Sequence, residues 1–350
     1  MKISAQSPAR PVEPQTARRG GRIGFWLRRS ALWLAIGILG LAALGAVYQT
    51  IATVMDRRAL PAPGQRVDVG GYSLHLYCVG ENTEGRPTVI LESGLGGTSS
   101  TWAWIQPSVA KTTRVCAYDR AGMGWSDSSP APRDAENIAA ELHTLLQNAQ
   151  IPGPYVLAGW SYGGMYVRQY AGQYPDEVAG MILLDSSSPE QCTSTPATQS
   201  QCDTMAIAYK VMPALTRLGL LRLYGFSLPA SGLPSPQHEE LIASFSATKD
   251  EVTQSAEFFA SPSTRGQGLN SELGSLPLFI LTATDHDTPD FEQLWQEWQT
   301  GFTSLSTNSL QRVLPGSTHS SIMYDSAHAK ESAEAILQVV EAARTGAALK

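Results

Sequence analysis

The segment Tyr155-Val-Leu-Ala-Gly-Trp-Ser-Tyr-Gly-Gly-Met165 constrains the fold more than any other stretch of this chain. A β-prone apolar run, Tyr155 to Ala158, meets Gly159-Trp160-Ser161-Tyr162-Gly163, and helix-favouring sequence follows from Gly164 to Tyr174. A serine between two glycines at a strand-to-helix turn is the pattern called a nucleophile elbow. Such a turn holds its serine in a sparsely populated backbone conformation. The glycines two residues to either side remove Cβ atoms that would collide where strand and helix nearly touch. The hydroxyl then stands at the carboxyl edge of a sheet, near the positive end of the following helix. An ordinary Gly-rich turn is the competing reading, and the strand before and helix after favour the elbow.

A serine nucleophile needs a base and a place for negative charge. His319 fits the base. Leu310 to Leu314 reads as a short strand, Pro315 to Thr318 as a loop, and Ser326 to Ala343 as a terminal amphipathic helix. A histidine in the loop after the last strand has the required chain order, serine first and histidine last. The competing reading is a surface-loop histidine. His75, His143, His238 and His328 lie in strand or helical patterns and read as structural or solvated. For the charge, the β-branched run Pro87 to Glu92 leads directly into Ser93-Gly94-Leu95-Gly96-Gly97. A loop of this kind can aim the Leu95 N–H at an oxyanion, with the Tyr162 N–H as second donor.

Three segments together resemble the α/β-hydrolase superfamily, closest to its lid-bearing esterase, lipase and iminopeptidase-like branch: Leu91-Glu-Ser-Gly-Leu-Gly-Gly97, Tyr118-Asp-Arg-Ala-Gly-Met-Gly-Trp-Ser126 and Ala158-Gly-Trp-Ser-Tyr-Gly-Gly164. The resemblance spans roughly Val67 to the C-terminus. It implies a mostly parallel eight-stranded sheet flanked by helices, with a helical lid inserted after the sixth strand, at about residues 189–275. Many relatives begin the oxyanion loop with His-Gly where this chain has Ser93-Gly94, a change that bears on fine positioning because the donor is backbone. Asp119 and Arg120 are scaffold residues by the same resemblance.

The acid of the triad is open at this level. Family members place it after the sixth or the seventh strand. Met181 to Asp185 reads as the sixth, with Asp185 at its end; Leu276 to Thr282 reads as the seventh, with Asp285 and Asp287 beyond. Most relatives carry a seventh-strand acid three residues after a glycine. Here Ala283 replaces that glycine and His286 occupies the acid's place. The sequence favours Asp185 slightly, then Asp285, then Asp287, each of which also reads as a loop cap.

Ala31 to Ile51 is a run of twenty-one residues without a charge. At ~1.5 Å per residue it crosses ~30 Å of hydrocarbon. Lys2, Arg10, Arg18, Arg19, Arg22, Arg28 and Arg29 precede it against Glu13 alone, and fewer basic residues follow. The positive-inside bias therefore predicts a cytoplasmic N-terminus and a catalytic domain on the periplasmic or extracellular face. A cleaved signal peptide is the rival, but its apolar core is normally ~7–15 residues. The expected organisation is a basic disordered tail over residues 1–30, a transmembrane helix over 31–51, a linker over 52–66 and the hydrolase domain over 67–350.

The net charge of −6 argues against nucleic acid as a partner. Within the lid, Met205 to Leu223 has helical spacing, with breaks at Pro213, Gly225 and Pro229–Pro236. Cys192 and Cys202 bracket the polar start of the lid, where a disulfide would staple a loop that otherwise lacks a core. Cys78 and Cys116, on neighbouring strands by the resemblance, either pair or remain buried thiols. No spacing suggests a metal or cofactor. The function implied is acyl transfer to water on a small-molecule carboxylic ester, with Ser161 as nucleophile. An iminopeptidase-like amidase is the alternative, and a non-catalytic membrane-tethered binding protein on the same fold the second.

Overall fold

A computed structural model describes residues 20–82, 85–223, 232–265, 269, 272–286 and 288–350, with side chains from residue 25 onward. Asp287, Gly225, Pro229 and most of the basic N-terminal segment lie outside the described residues.

Eight strands form one sheet: β1 (Gln65–Asp68), β2 (Ser73–Val79), β3 (Thr88–Glu92), β4 (Val115–Asp119), β5 (Tyr155–Trp160), β6 (Val178–Leu184), β7 (Leu278–Thr282) and β8 (Ser309–Val313). Their spatial order is β1-β2-β4-β3-β5-β6-β7-β8. The β1–β2 and β2–β4 pairs are antiparallel and the remainder parallel. A parallel sheet is covered on both faces, which is why its central strands read as unbroken apolar runs. In β5, Val156 and Ala158 enter one core with Ile336 and Val339, while Tyr155 and Leu157 enter the other with Leu142, Leu145 and Tyr170.

Those partners come from the surrounding helices, which in chain order are α1 (Gly20–Ala59), α2 (Ile105–Val109), α3 (Ala135–Asn148) and α4 (Tyr162–Gln173), then α5 (Pro196–Arg217), α6 (Leu220–Leu223), α7 (Gln237–Phe245), α8 (Thr248–Ala260) and α9 (Pro262–Arg265), then α10 (Pro289–Gly301), α11 (Ser321–Tyr324) and α12 (Ser326–Thr345). Asp134 caps α3 as expected, its side chain accepting from Asn137 N. The lid, α5 to α9, lies between β6 and β7, as the resemblance implied. Both disulfides form: Cys78–Cys116 between residues paired in register on β2 and β4, and Cys192–Cys202 at the lid's start.

Three expectations are corrected. The tail placed at residues 1–30 is helical from Gly20, because helix α1 starts eleven residues ahead of the uncharged run at Ala31. The linker placed at residues 52–66 is helical up to Ala59, because Ala52 to Ala59 contains no Gly or Pro and Pro61 is the first residue that stops a helix. Pro213 does not break the lid helix but lies inside α5. The packing of α5 on α8 offsets the lost hydrogen bond, and α5 stops only ahead of Gly219, which takes φ +73°.

Two of the lid's buried acids, Asp250 and Glu251, have raised pKa values. Asp250 accepts from Gly124 N at 2.7 Å and from the Ser244 hydroxyl, yet burial still pushes its carboxyl up to about 6. Burial, with Asp250 beside it, pushes Glu251 up to about 7. A carboxyl whose folded pKa is raised binds its proton more tightly in the native state, so stability is lost as pH rises through that value. Glu251→Gln is therefore expected to raise thermal stability at pH 8, by on the order of 1–3 kcal/mol. The two proteins should converge below pH 5, as thermal unfolding at both pH values would show.

Candidate active site

Ser161 separates β5 from α4 with φ 56° and ψ −126°, a conformation that costs on the order of 1–3 kcal/mol for a non-glycine residue. The turn is closed by contact. A Cβ on Gly163 would lie 2.3 Å from the Glu92 carbonyl oxygen at the end of β3, so only glycine fits. Behind the serine, the loop after β6 folds inward: Ser187 N donates to the Ser161 carbonyl at 3.0 Å.

His319 follows β8 by six residues. Its Nε2 lies 3.0 Å from Ser161 Oγ and its Nδ1 2.6 Å from Asp185 Oδ2. The ring stacks on Trp160, with centroids 5.2 Å apart, and meets the edge of Trp295 at 5.7 Å. Trp160 Nε1 donates to the His319 carbonyl at 3.1 Å. The two indoles thus fix both the ring and its backbone.

Asp185 is wholly buried at the end of β6, in the left-handed region at φ 43°. Burial alone would raise its pKa. Hydrogen bonds from His286 and His319 outweigh that penalty and hold the carboxyl well below the usual carboxylate range. Its other oxygen accepts from Ala283 N at 3.0 Å and from Trp295 Nε1 at 2.8 Å. An ionised carboxylate offers only acceptors, so His319 must carry its proton on Nδ1. Nε2 then turns its lone pair to the Ser161 hydroxyl, the relation of a general base to a nucleophile.

Of the three acids left open by the sequence, Asp185 is the one placed on His319. Asp285 meets the histidine loop through its backbone, its N–H donating to the Ser317 carbonyl at 3.0 Å. Asp287 is outside the described residues.

A participant not foreseen is His286. Its Nε2 stands 3.1 Å from Asp185 Oδ2 and its Nδ1 2.5 Å from Glu292 Oε2. Both nitrogens face carboxylate oxygens, so both are donors and the ring is an imidazolium. Burial disfavours that charge, but Asp185 and Glu292 outweigh it and raise the pKa. The sequence marked His286 only as the residue occupying the usual acid's place; nothing local paired it with Glu292. The ligand atoms of Asp185, His286 and His319 lie within 4.8 Å of one another, close enough for a metal ion. Their 2.6 and 3.1 Å separations are those of imidazole N–H donors on a carboxylate.

The Ser93–Gly97 loop passes directly over the serine, since a Cβ on Gly94 would lie 2.9 Å from Ser161 Cβ. Arg120, fully buried, fixes the loop by donating to the Ser93 carbonyl at 2.7 Å and the Gly94 carbonyl at 2.8 Å. It also pairs with Glu92 at 2.7 Å and with Glu257 of α8 at 2.9 Å, joining loop to lid. Leu95 and Tyr162 both line the cleft beside Ser161. Tyr162 opens α4, where N–H groups have no intrahelical acceptor. Asp119 is scaffold: it accepts from Ser99 N at 2.7 Å and Trp125 N at 2.9 Å and pairs with buried His75 at 3.0 Å. His143 pairs with Glu177 at 3.1 Å, and His328 lies 2.9 Å from the Ser321 hydroxyl, both away from the site. The cleft is about 700 Å³, with Met205 and Tyr209 of the lid forming its roof.

Comparison with known proteins agrees with this architecture. Residues 87–211 match the family model described as alpha/beta hydrolase fold. A vacuolar membrane protein of Saccharomyces cerevisiae is 31% identical over 188 residues, covering 47% of this chain and 29% of that protein. The chain thus spans less than a third of that relative's length. Protein YqjL of Bacillus subtilis is 27% identical over 243 residues, covering 69% of this chain and 79% of that one. A thermophilic esterase from Thermogutta terrifontis superposes with a TM-score of 0.58 at 20% identity, over 80% of this chain and 100% of that one, a likeness of fold. Residues 87–211 thus match the α/β-hydrolase family model, and the chain as a whole has the α/β-hydrolase fold.

Proposed function

We propose that this protein is a membrane-anchored serine hydrolase that cleaves a carboxylic ester through an acyl-enzyme. The observation that carries the reading is the unbroken chain from Ser161 Oγ through His319 to ionised Asp185, at 3.0 and 2.6 Å. Ser161 attacks the ester carbonyl while His319 Nε2 takes its proton. The Leu95 and Tyr162 N–H groups donate hydrogen bonds to the negatively charged carbonyl oxygen. The C–O bond breaks and the leaving alkoxide takes the proton from His319. Water then attacks the acyl-serine with His319 again as base, releasing the carboxylic acid and restoring Ser161. The serine nucleophile sets this chain apart from α/β-hydrolases that use an aspartate at the elbow.

Its location rests on α1. Phe25–Ala59 is long and apolar enough to cross a membrane, and its apolar window is not buried against the rest of the protein. The yeast relative named as a vacuolar membrane protein is consistent with attachment. Two disulfides favour an oxidising compartment. Together with the arginine-rich N-terminal side, they support a catalytic domain on the outer face.

The full chain in detergent is expected to hydrolyse p-nitrophenyl acyl esters and to leave a proline arylamide intact. Ser161→Ala should remove at least ~10⁴ of kcat. Cleavage of the arylamide without the esters would favour the iminopeptidase-like reading, and no turnover of either would favour a binding protein. Asp185→Asn should lower kcat by on the order of 10⁴, because it presents the wrong tautomer of His319. Asp285→Asn should stay within a few fold of wild type, and the reverse ranking would move the acid to Asp285.

A further inference from the structure

The lid contains a second cavity, of about 220 Å³, walled by Met205, Ala208, Tyr209 and Met212 of α5 and by Ile242 and Phe245 of α7. It is larger than the roughly 150 Å³ apolar cavity that stays dry and binds benzene. Glu251 also faces it. Burial, with Asp250 beside it, pushes its carboxyl up to about 7. Met205 and Tyr209 wall both this cavity and the cleft holding Ser161, so the two spaces adjoin at those side chains.

The far side of the same lid elements rests on α1. The Gly45 backbone packs so closely on Leu218 that a Cβ there would lie 2.2 Å from the Leu218 carbonyl oxygen. Gln49 donates to the Ser246 carbonyl at 2.6 Å and accepts from Arg222 at 3.0 Å; Arg222 also pairs with Asp56 at 2.5 Å. Gly45 and Gln49 belong to the uncharged run of α1, and Ser246 and Leu221 belong to the cavity wall. The outer surface of these lid helices is apolar as well: Ile207 and Val211, one turn apart on α5, and Leu223 on α6 are 66%, 46% and 65% exposed. Large exposed apolar side chains beside a membrane-spanning helix mark a surface that meets lipid.

We propose that this cavity holds the acyl chain of a bilayer-resident ester, which enters from the lid face docked on α1 and brings its carbonyl past Met205 and Tyr209 to Ser161. The inference rests on the ester-hydrolase reading for its chemistry, and the binding of the chain can be tested without it. An apolar cavity beside the acyl-accepting serine, on a lid held at the end of a membrane-spanning helix, fits a chain that never leaves an apolar medium. Transfer from bilayer to lid then costs little, because the hydrocarbon exchanges one apolar surrounding for another.

The test uses the full chain held in amphipol. The Ser161→Ala protein should bind cis-parinaric acid, a fluorescent long-chain fatty acid, saturably and in competition with palmitate but not acetate. Met212→Trp and, from the opposite wall, Ile242→Trp should each weaken that binding at least tenfold. In the Ser161 background each should lower the ratio of kcat/KM for p-nitrophenyl palmitate over p-nitrophenyl acetate at least tenfold. Absence of saturable binding by Ser161→Ala would overturn the proposal, as would binding and ratio unchanged within twofold in either folded variant. If the wild type hydrolyses no ester but parinarate binds and the tryptophans displace it, the hydrolase reading fails and the cavity assignment stands. For the bilayer as source, Ile207→Glu combined with Val211→Glu should slow hydrolysis of a long-chain ester in phosphatidylcholine vesicles at least fivefold relative to the same ester in micelles. Equal slowing in both would overturn entry from the bilayer.

Discussion

The structure turns on the contact between α4 and the end of β3, where Gly163 lies against the Glu92 carbonyl with no room for a side chain. That approach forces Ser161 into the left-handed region and aims its hydroxyl away from the sheet. It also brings the Ser93–Gly97 loop over the serine, since that loop starts at the residue after Glu92. Arg120 then fixes what the contact brings together, reaching Glu92, two loop carbonyls and Glu257 of the lid from one buried guanidinium. Breaking a buried ion pair by removing one partner costs about 3–5 kcal/mol. The Ser93–Gly97 loop and the lid are therefore coupled through a network that tolerates little change.

The acid side of the site follows from a second left-handed residue. Asp185, at φ 43°, turns back beneath His319 as β6 ends. The chain around β7 contributes donors instead of an acid: Ala283 N–H, Trp295 Nε1 from α10 and the His286 imidazolium all point at the one carboxylate. The position after β7 where the family resemblance led to the expectation of an acid is thus occupied by the His286 cation, which donates to the Asp185 carboxylate at the end of β6. Glu292 keeps that cation charged.

Ser161 and His319 were legible in the sequence because their signals are local: a glycine-flanked serine between strand and helix, and a histidine in the loop after the last strand. The choice between Asp185 and Asp285 was not, since both follow a parallel strand at the same sheet edge and only backbone direction beyond the strand separates them. His286 and Glu292 had no readable signal, because their pairing depends on how α10 packs under the loop. The eight strands, the α3 cap and the lid's place were readable from periodicity and the family resemblance. The end of α1 and the course of α5 through Pro213 were misread where tertiary packing overrode local breakers. The docking of α1 on the lid was invisible for the same reason. A glycine and a glutamine at the end of an apolar run carry no mark of the partner they meet, yet they hold the lid against α1.

Whether Ser161 is the nucleophile can be read from the mass of the intact protein after brief exposure to a fluorophosphonate. The geometry predicts one adduct per chain, mapping to Ser161 on proteolysis, formed within minutes near neutral pH and blocked by prior acid unfolding. No adduct on the folded protein, or an adduct on a different serine, would contradict it.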